Sequence, residues 1–164
     1  MTDQVSFERV VREYGPAIDR LAWGYVDDAA DHGDLVQDVL VALWRALPAF
    51  RGEASERTFV FRVAHNRAFT FALRRRRQAP LAADERTPDP RPGPEAQLDA
   101  AQRRDRLLAA IRRLGDAHRQ AVMLHLEGFA VPEIAQLQGT SENNVAVRLT
   151  RARQRLRALM GEDE

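Results

Sequence analysis

Asn144, Arg148, Arg151 and Arg155 recur at spacings of 4, 3 and 4, which places one amide and three guanidinium groups along one face of a helix. These side chains suit nucleic acid. Asn pairs with the adenine edge, and the planar fork of Arg pairs with guanine or with phosphate. A second set lies upstream, where Arg57 to Arg77 holds seven Arg and no acid, interleaved with four Phe. Cations beside rings suit a single strand, because Arg neutralises phosphates while rings or apolar pockets receive unstacked bases. The plainer alternatives are a solvated basic face in the first case and, in the second, core phenylalanines next to a charged helix end. Most of the four Phe are expected to be core.

Catalytic chemistry finds little footing. There is no nucleophile–base motif, no phosphate-cradling glycine loop and no paired-histidine metal spacing. His32, His65, His118 and His125 are scattered and read as surface or half-buried helix residues, since metal ligands must cluster. Asp27, Asp28, Asp31, Asp34 and Asp38 lack the glycine and terminal glutamate of a calcium loop. Acids favour a helix start in any case, so these are assigned to a helix N-terminus and an acidic contact face. No catalytic residue, metal or cofactor is expected.

The elements that must position the first set are legible. Val131-Pro132-Glu133-Ile134-Ala135-Gln136-Leu137-Gln138 carries a first-turn proline and helically spaced apolar residues. Gly139-Thr140-Ser141 breaks that helix and offers Ser as the next N-cap. Val145, Leu149, Ala152, Leu156 and Leu159 then form a buried stripe beside the Asn–Arg face. The pair reads as a helix-turn-helix whose second helix can enter a major groove.

The chain has 164 residues and no cysteine. No apolar run approaches bilayer length, and Asp3 and Glu8 interrupt any signal-peptide pattern, so a cytoplasmic protein without membrane insertion is expected. All 25 basic residues are Arg, a bias that genome composition alone can produce. The net charge of +1 conceals an asymmetry. Residues 1–50 hold nine acids and four Arg, net −5, whereas residues 51–80 hold eight Arg and two acids, net +6. Basic blocks beside an acidic segment predict contact surfaces for a polyanion and a different surface for something else.

Five of the eight prolines fall between Gln78 and Glu95, which reads as an extended, mobile linker. The expected class is all-α: two small helical domains, 1–78 and 96–164, joined by a Pro-rich linker over 79–95. In the first, helices are predicted at about Val5–Tyr25, with a possible kink at Gly15-Pro16, at Asp34–Leu47, closed by Pro48, and at Thr58–Arg77. In the second they are predicted at about Pro94–Leu114 and Ala117–Glu127, ahead of the helix-turn-helix.

The series Asp34-Leu35-Val36-Gln37-Asp38-Val39-Leu40, Leu43-Trp44, Phe50-Arg51-Gly52 and Thr58-Phe59-Val60-Phe61-Arg62-Val63-Ala64-His65-Asn66-Arg67 resembles region two of bacterial sigma factors of the extracytoplasmic-function group. Ala117-His118-Arg119-Gln120-Ala121-Val122, Glu127-Gly128, Val131 to Ala135 and Ser141 to Arg153 resemble region four of the same group. Region four alone is similar to other helix-turn-helix domains; the two regions in this order are far more specific. Phe59 stands where Trp is usual, Thr70 where Asp is usual, Gly115 where Pro is common, and Gln138-Gly139 replaces a more usual Leu-Gly.

The resemblance implies a promoter-specificity subunit that binds core RNA polymerase, through its β′ clamp helices and β flap, and promoter DNA. Leu35, Gln37, Asp38 and Trp44 match the polymerase-docking positions. The loop Phe50–Arg57 matches the pocket for a flipped base of the -10 element, and the helix Phe59–Arg77 matches the platform for the melted strand. The implied -10 set is Arg51, Gly52, Arg57, Phe59, Arg62, Asn66, Arg67 and Arg74. The implied -35 set is Ser141, Asn143, Asn144, Arg148, Arg151, Arg153 and Arg155, with Arg153 and Arg155 better placed for phosphates. An anti-sigma factor is the implied regulatory partner, and control from a separate protein is expected because the chain ends at Glu162-Asp163-Glu164 without a long extension. The alternatives are a polymerase-independent helix-turn-helix regulator and a polymerase-binding antagonist without promoter activity.

Overall fold

The computed structural model describes residues 2–78 and 96–161, with side chains described from Ser6 in the first stretch and from Asp99 in the second. The expected linker at 79–95 lies outside the described residues. Within them the chain is helical without strands: α1 (Thr2–Trp23), α2 (Ala29–Ala46), α3 (Glu56–Gln78), α4 (Ala96–Arg112), α5 (Asp116–Leu126), α6 (Val131–Gln138) and α7 (Glu142–Met160). None of these helices is long and apolar enough to cross a membrane.

Each boundary has a local cause. α2 starts at Ala29, earlier than the periodicity of its apolar residues suggests, because the Asp28 carboxylate accepts from Ala30 N at 2.7 Å and Asp31 N at 3.1 Å. That side chain satisfies two of the backbone donors a helix start leaves unpaired. Pro48 ends α2 by passing it into a short 3-10 turn, Leu47–Ala49. Ser55 caps α3, accepting from Thr58 N at 3.1 Å. α1 runs through Pro16 as one helix.

Between α6 and α7 the chain needs a left-handed residue. Gly139 supplies it at φ 63°, where a side chain would be strained. Thr140 N then bonds back to Ala135 O at 3.0 Å, and Ser141 Oγ accepts from Asn144 N at 3.1 Å to open α7. The turn read from Gly139-Thr140-Ser141 is therefore present, bond for bond.

The apolar stripes close on one another. Val10, Ile18 and Leu21 of α1, Leu35, Val39 and Leu43 of α2, and Val60, Phe61, Ala64 and Ala68 of α3 form the first core. Ile111, Leu114, Ala121, Leu124, Ile134, Val145, Leu149 and Ala152 form the second. Of the predicted α7 stripe, Val145, Leu149 and Ala152 are buried, while Leu156 and Leu159 are half-buried.

The two cores are continuous, joined by a seam that the sequence does not announce. Phe129 meets Phe61 edge-on with ring centroids 4.9 Å apart. Arg57 lies 3.8 Å above the Phe129 ring and donates to the Glu127 carbonyl. Glu127 in turn holds Arg20 through two bonds of 2.8 and 2.9 Å. Arg112 donates to Trp23 O at 2.7 Å at the C-terminal end of α1.

Candidate nucleic-acid interface

α7 presents its polar face outward because Val145, Leu149 and Ala152 are committed to the core. Asn143, Asn144, Arg151, Arg153 and Arg155 are exposed, and Arg148 is half-buried. Two of these are braced by the turn before them. Asn144 Nδ2 donates to Thr140 Oγ1 at 2.9 Å, and Arg148 Nη1 donates to Gln138 Oε1 at 2.8 Å. The Ser141 hydroxyl is spent as the helix cap, which places it at the α7 N-terminus. Arg153 lies 3.4 Å from His125 Nε2. Among the described residues, Arg151 and Arg155 form no ion pair, so their charge is available to phosphate.

α3 is different. Arg67 pairs with Asp38 at 3.2 Å, Arg75 with Asp31 at 2.6 Å and Asp34 at 3.7 Å, and Arg76 with Asp116 at 3.8 Å. Arg57 is engaged in the seam. Arg51, Asn66 and Arg74 are exposed and Arg62 is half-buried. The acidic run of the first segment is thus in part an internal counter-charge, in addition to the helix start at Asp28. Among the four phenylalanines Phe61 is core and Phe71 packs against the core. Phe59 is half-buried against Phe50 at 4.9 Å, and Phe69 is 40% exposed. The loop before α3 turns at Gly52, whose φ is 77°, leaving Arg51 and Gly52 open to solvent.

The outer face of α2 carries Gln37 and Trp44, the latter 60% exposed. Asp38 sits at the edge of that face, tied to Arg67. Leu35 does not belong to it. Its side chain is 0% exposed and packs in the first core, so it cannot touch a partner without unfolding α2, and it is corrected from a docking residue to a core residue. Val41 is exposed between Gln37 and Trp44 at helical spacing and shares their face. Spacing alone points to it: 37, 41 and 44 share one face.

Behind α3, His65 is fully buried. The Tyr25 hydroxyl lies 2.8 Å from its Nδ1. Burial lowers the His65 pKa to about 3 and pushes the Tyr25 hydroxyl above its usual range. A neutral imidazole accepting from a protonated Tyr25 satisfies both statements. At the surface, Arg9 bonds Glu56 and holds that carboxyl below its usual range, tying α1 to the start of α3. Among the described residues no grouping of His, Asp or Glu is arranged to hold a metal ion.

An all-helical chain that combines a Ser-capped helix exposing Asn and Arg, an arginine–aromatic helix and an exposed Trp44 has the features of a nucleic-acid-binding protein. Residues 10–78 match the family described as Sigma-70 region 2, and residues 104–156 match Sigma-70, region 4. The chain is 31% identical over 170 residues to the RNA polymerase sigma factor NccH of Alcaligenes xylosoxydans xylosoxydans, covering 96% of this chain and 88% of that one. It is 28% identical over 163 residues to the ECF RNA polymerase sigma-E factor of Escherichia coli K12, covering 93% and 85%. Its fold superposes with a TM-score of 0.71 on CnrH, solved in complex with the cytosolic domain of CnrY, at 25% identity and 98% and 91% coverage. The chain belongs to the sigma-70 family of RNA polymerase sigma factors, in its extracytoplasmic-function group. Its function is to direct promoter-specific transcription, and the polymerase-independent regulator is not favoured.

Proposed function

We propose that this sigma factor, working in the cytoplasm and without catalysing chemistry, divides promoter recognition between residues 1–78 and 96–164, with 79–95 connecting them. Gln37, Val41 and Trp44 dock on core RNA polymerase. Asn143, Asn144, Arg148 and Arg151 read base edges of the -35 element in the major groove, while Arg153 and Arg155 hold its phosphates. Arg51, Gly52, Phe59, Arg62, Asn66, Arg67 and Arg74 receive the melted -10 strand. Arg57 joins them only after the segment 127–129 has left it. Base flipping costs a few kcal/mol, which pocket and phosphate contacts at the -10 element offset.

The observation that carries this reading is the exposed, Ser141-capped Asn–Arg face of α7 on a chain that also exposes Trp44. A promoter-independent protein has no use for both. By analogy with CnrH and its bound CnrY segment, a protein antagonist holds this chain inactive until a signal releases it. Run-off transcription with purified core polymerase, on promoters selected by the reconstituted holoenzyme, tests the reading. Specific transcripts starting at one site are expected, and failure of the chain to associate with core polymerase would overturn it.

A further inference from the structure

Gln138 is placed where three helices meet, at the end of α6. Its Nε2 donates to Ala117 O of α5 at 2.9 Å and to Gln120 Oε1 at 3.2 Å. Two acceptors on one side fix which way the amide faces. Its Oε1 therefore points at α7, where it accepts from Arg148 Nη1 at 2.8 Å. An aliphatic side chain at this position fills the same half-buried space and makes none of these bonds.

Arg148 is the only arginine on the α7 reading face that is half-buried, and among the described residues Gln138 is its one hydrogen-bond partner. A guanidinium has five donors in a fixed fork. Binding one of them leaves the others to face outward while the long side chain loses its freedom before DNA arrives. Preorganisation of this kind sharpens discrimination, because a misplaced base meets donors that cannot move to suit it. Asn144, held by Thr140 Oγ1, is the neutral counterpart one turn earlier.

We propose that Gln138 is a specificity-positioning residue: through its bond to Arg148 it sets which base pair of the upstream promoter element that arginine reads. Gln138 touches no DNA in this role. The proposal rests on the reading of α7 as the -35 recognition helix.

The test uses holoenzyme reconstituted from full-length chain and core polymerase, on a run-off library in which each base pair of the selected upstream element is varied. Arg148→Ala first identifies the base pair whose preference it flattens. Gln138→Leu is then expected to relax preference at that same base pair by about tenfold, with other positions and total transcript from an element-independent promoter unchanged. Gln138→Glu keeps an acceptor for Arg148 but loses both donor bonds that orient the side chain, and is expected to fall between the wild-type chain and Gln138→Leu. Uniform loss across all positions in Gln138→Leu would mark a purely structural brace and overturn the proposal. So would an unchanged profile in Gln138→Leu, or one in Arg148→Ala. If no variant and no wild-type chain supports specific transcripts, the sigma reading itself has failed, which is a separate result.

Discussion

The two arginine-rich helices, α3 and α7, hold their charge in opposite ways. On α3, Arg57, Arg67, Arg75 and Arg76 are each engaged by a carbonyl or carboxylate of the protein. On α7, Arg148 and Arg153 meet only the neutral Gln138 and the imidazole of His125, and no carboxylate pairs with the helix among the described residues. The proposed duplex-reading face is therefore free of internal counter-charge among the described residues. Under the proposed -10 reading, single-strand capture is contingent at two of its arginines: phosphate must displace Asp38 from Arg67, and the 127–129 segment must leave Arg57.

The strongest way to break this contrast is at α7. Replacing both Asn144 and Arg148 by Ala removes two base contacts worth about 1–3 kcal/mol each, so promoter-specific run-off should fall about a hundredfold or more. Association with core polymerase, followed by gel filtration, should be unchanged. Retained specific transcription would show that α7 is not the reader.

The seam comes next. Phe129→Ala removes a buried ring from Phe61 and from beneath Arg57, and is expected to destabilise the chain by about 3 kcal/mol in urea unfolding. Small-angle scattering should report a larger radius as the two halves separate. If the radius stays constant while stability falls, the seam does not hold the halves together.

A smaller effect follows from His65. Its folded pKa of about 3 lies below the unfolded value near 6.5. The unfolded chain therefore binds more protons than the folded one between those values, and stability falls as pH drops below about 6.5. The slope approaches about 1.4 kcal/mol per pH unit. His65→Gln should flatten that slope between pH 6.5 and 5, read from urea midpoints; an unaltered slope would place the acid sensitivity elsewhere.

The smallest effects sharpen the comparison most directly. Asp38→Asn releases Arg67 from a partly exposed pair worth about 0–1 kcal/mol, so the thermal midpoint should barely move. Affinity of the full chain for a labelled single strand carrying the -10 sequence should rise, as measured by anisotropy. A fall would mean that the acid positions the arginine for DNA, and does not hold it back.

Much of this was legible beforehand, and the limits have physical reasons. The Gly139–Ser141 turn and the burial of Val145, Leu149 and Ala152 follow from local chemistry and period, which act within a few residues. The start of α2 was misplaced because five aspartates compete for the cap, and only geometry selects Asp28. Leu35 was assigned outward because a motif match does not say which side of a helix faces the core, whereas its spacing with Val39 and Leu43 does. The bonds made by Glu127 and Gln138 are not legible because their partners are distant in sequence: Arg20 and Arg57 for one, Ala117 and Gln120 for the other. Pairing across such distances leaves no periodic trace.

The Phe61–Phe129 contact also sets a schedule for the newborn chain. The first core can close as soon as α3 is made, but the Phe61 edge that Phe129 covers must then wait for 51 more residues. At a synthesis rate of about 5–20 residues per second, that surface stands uncovered for roughly 3–10 s. During that interval the nascent chain offers an aromatic edge and the open Arg57 beside it. A chaperone, or an early-binding antagonist, would meet this protein first there.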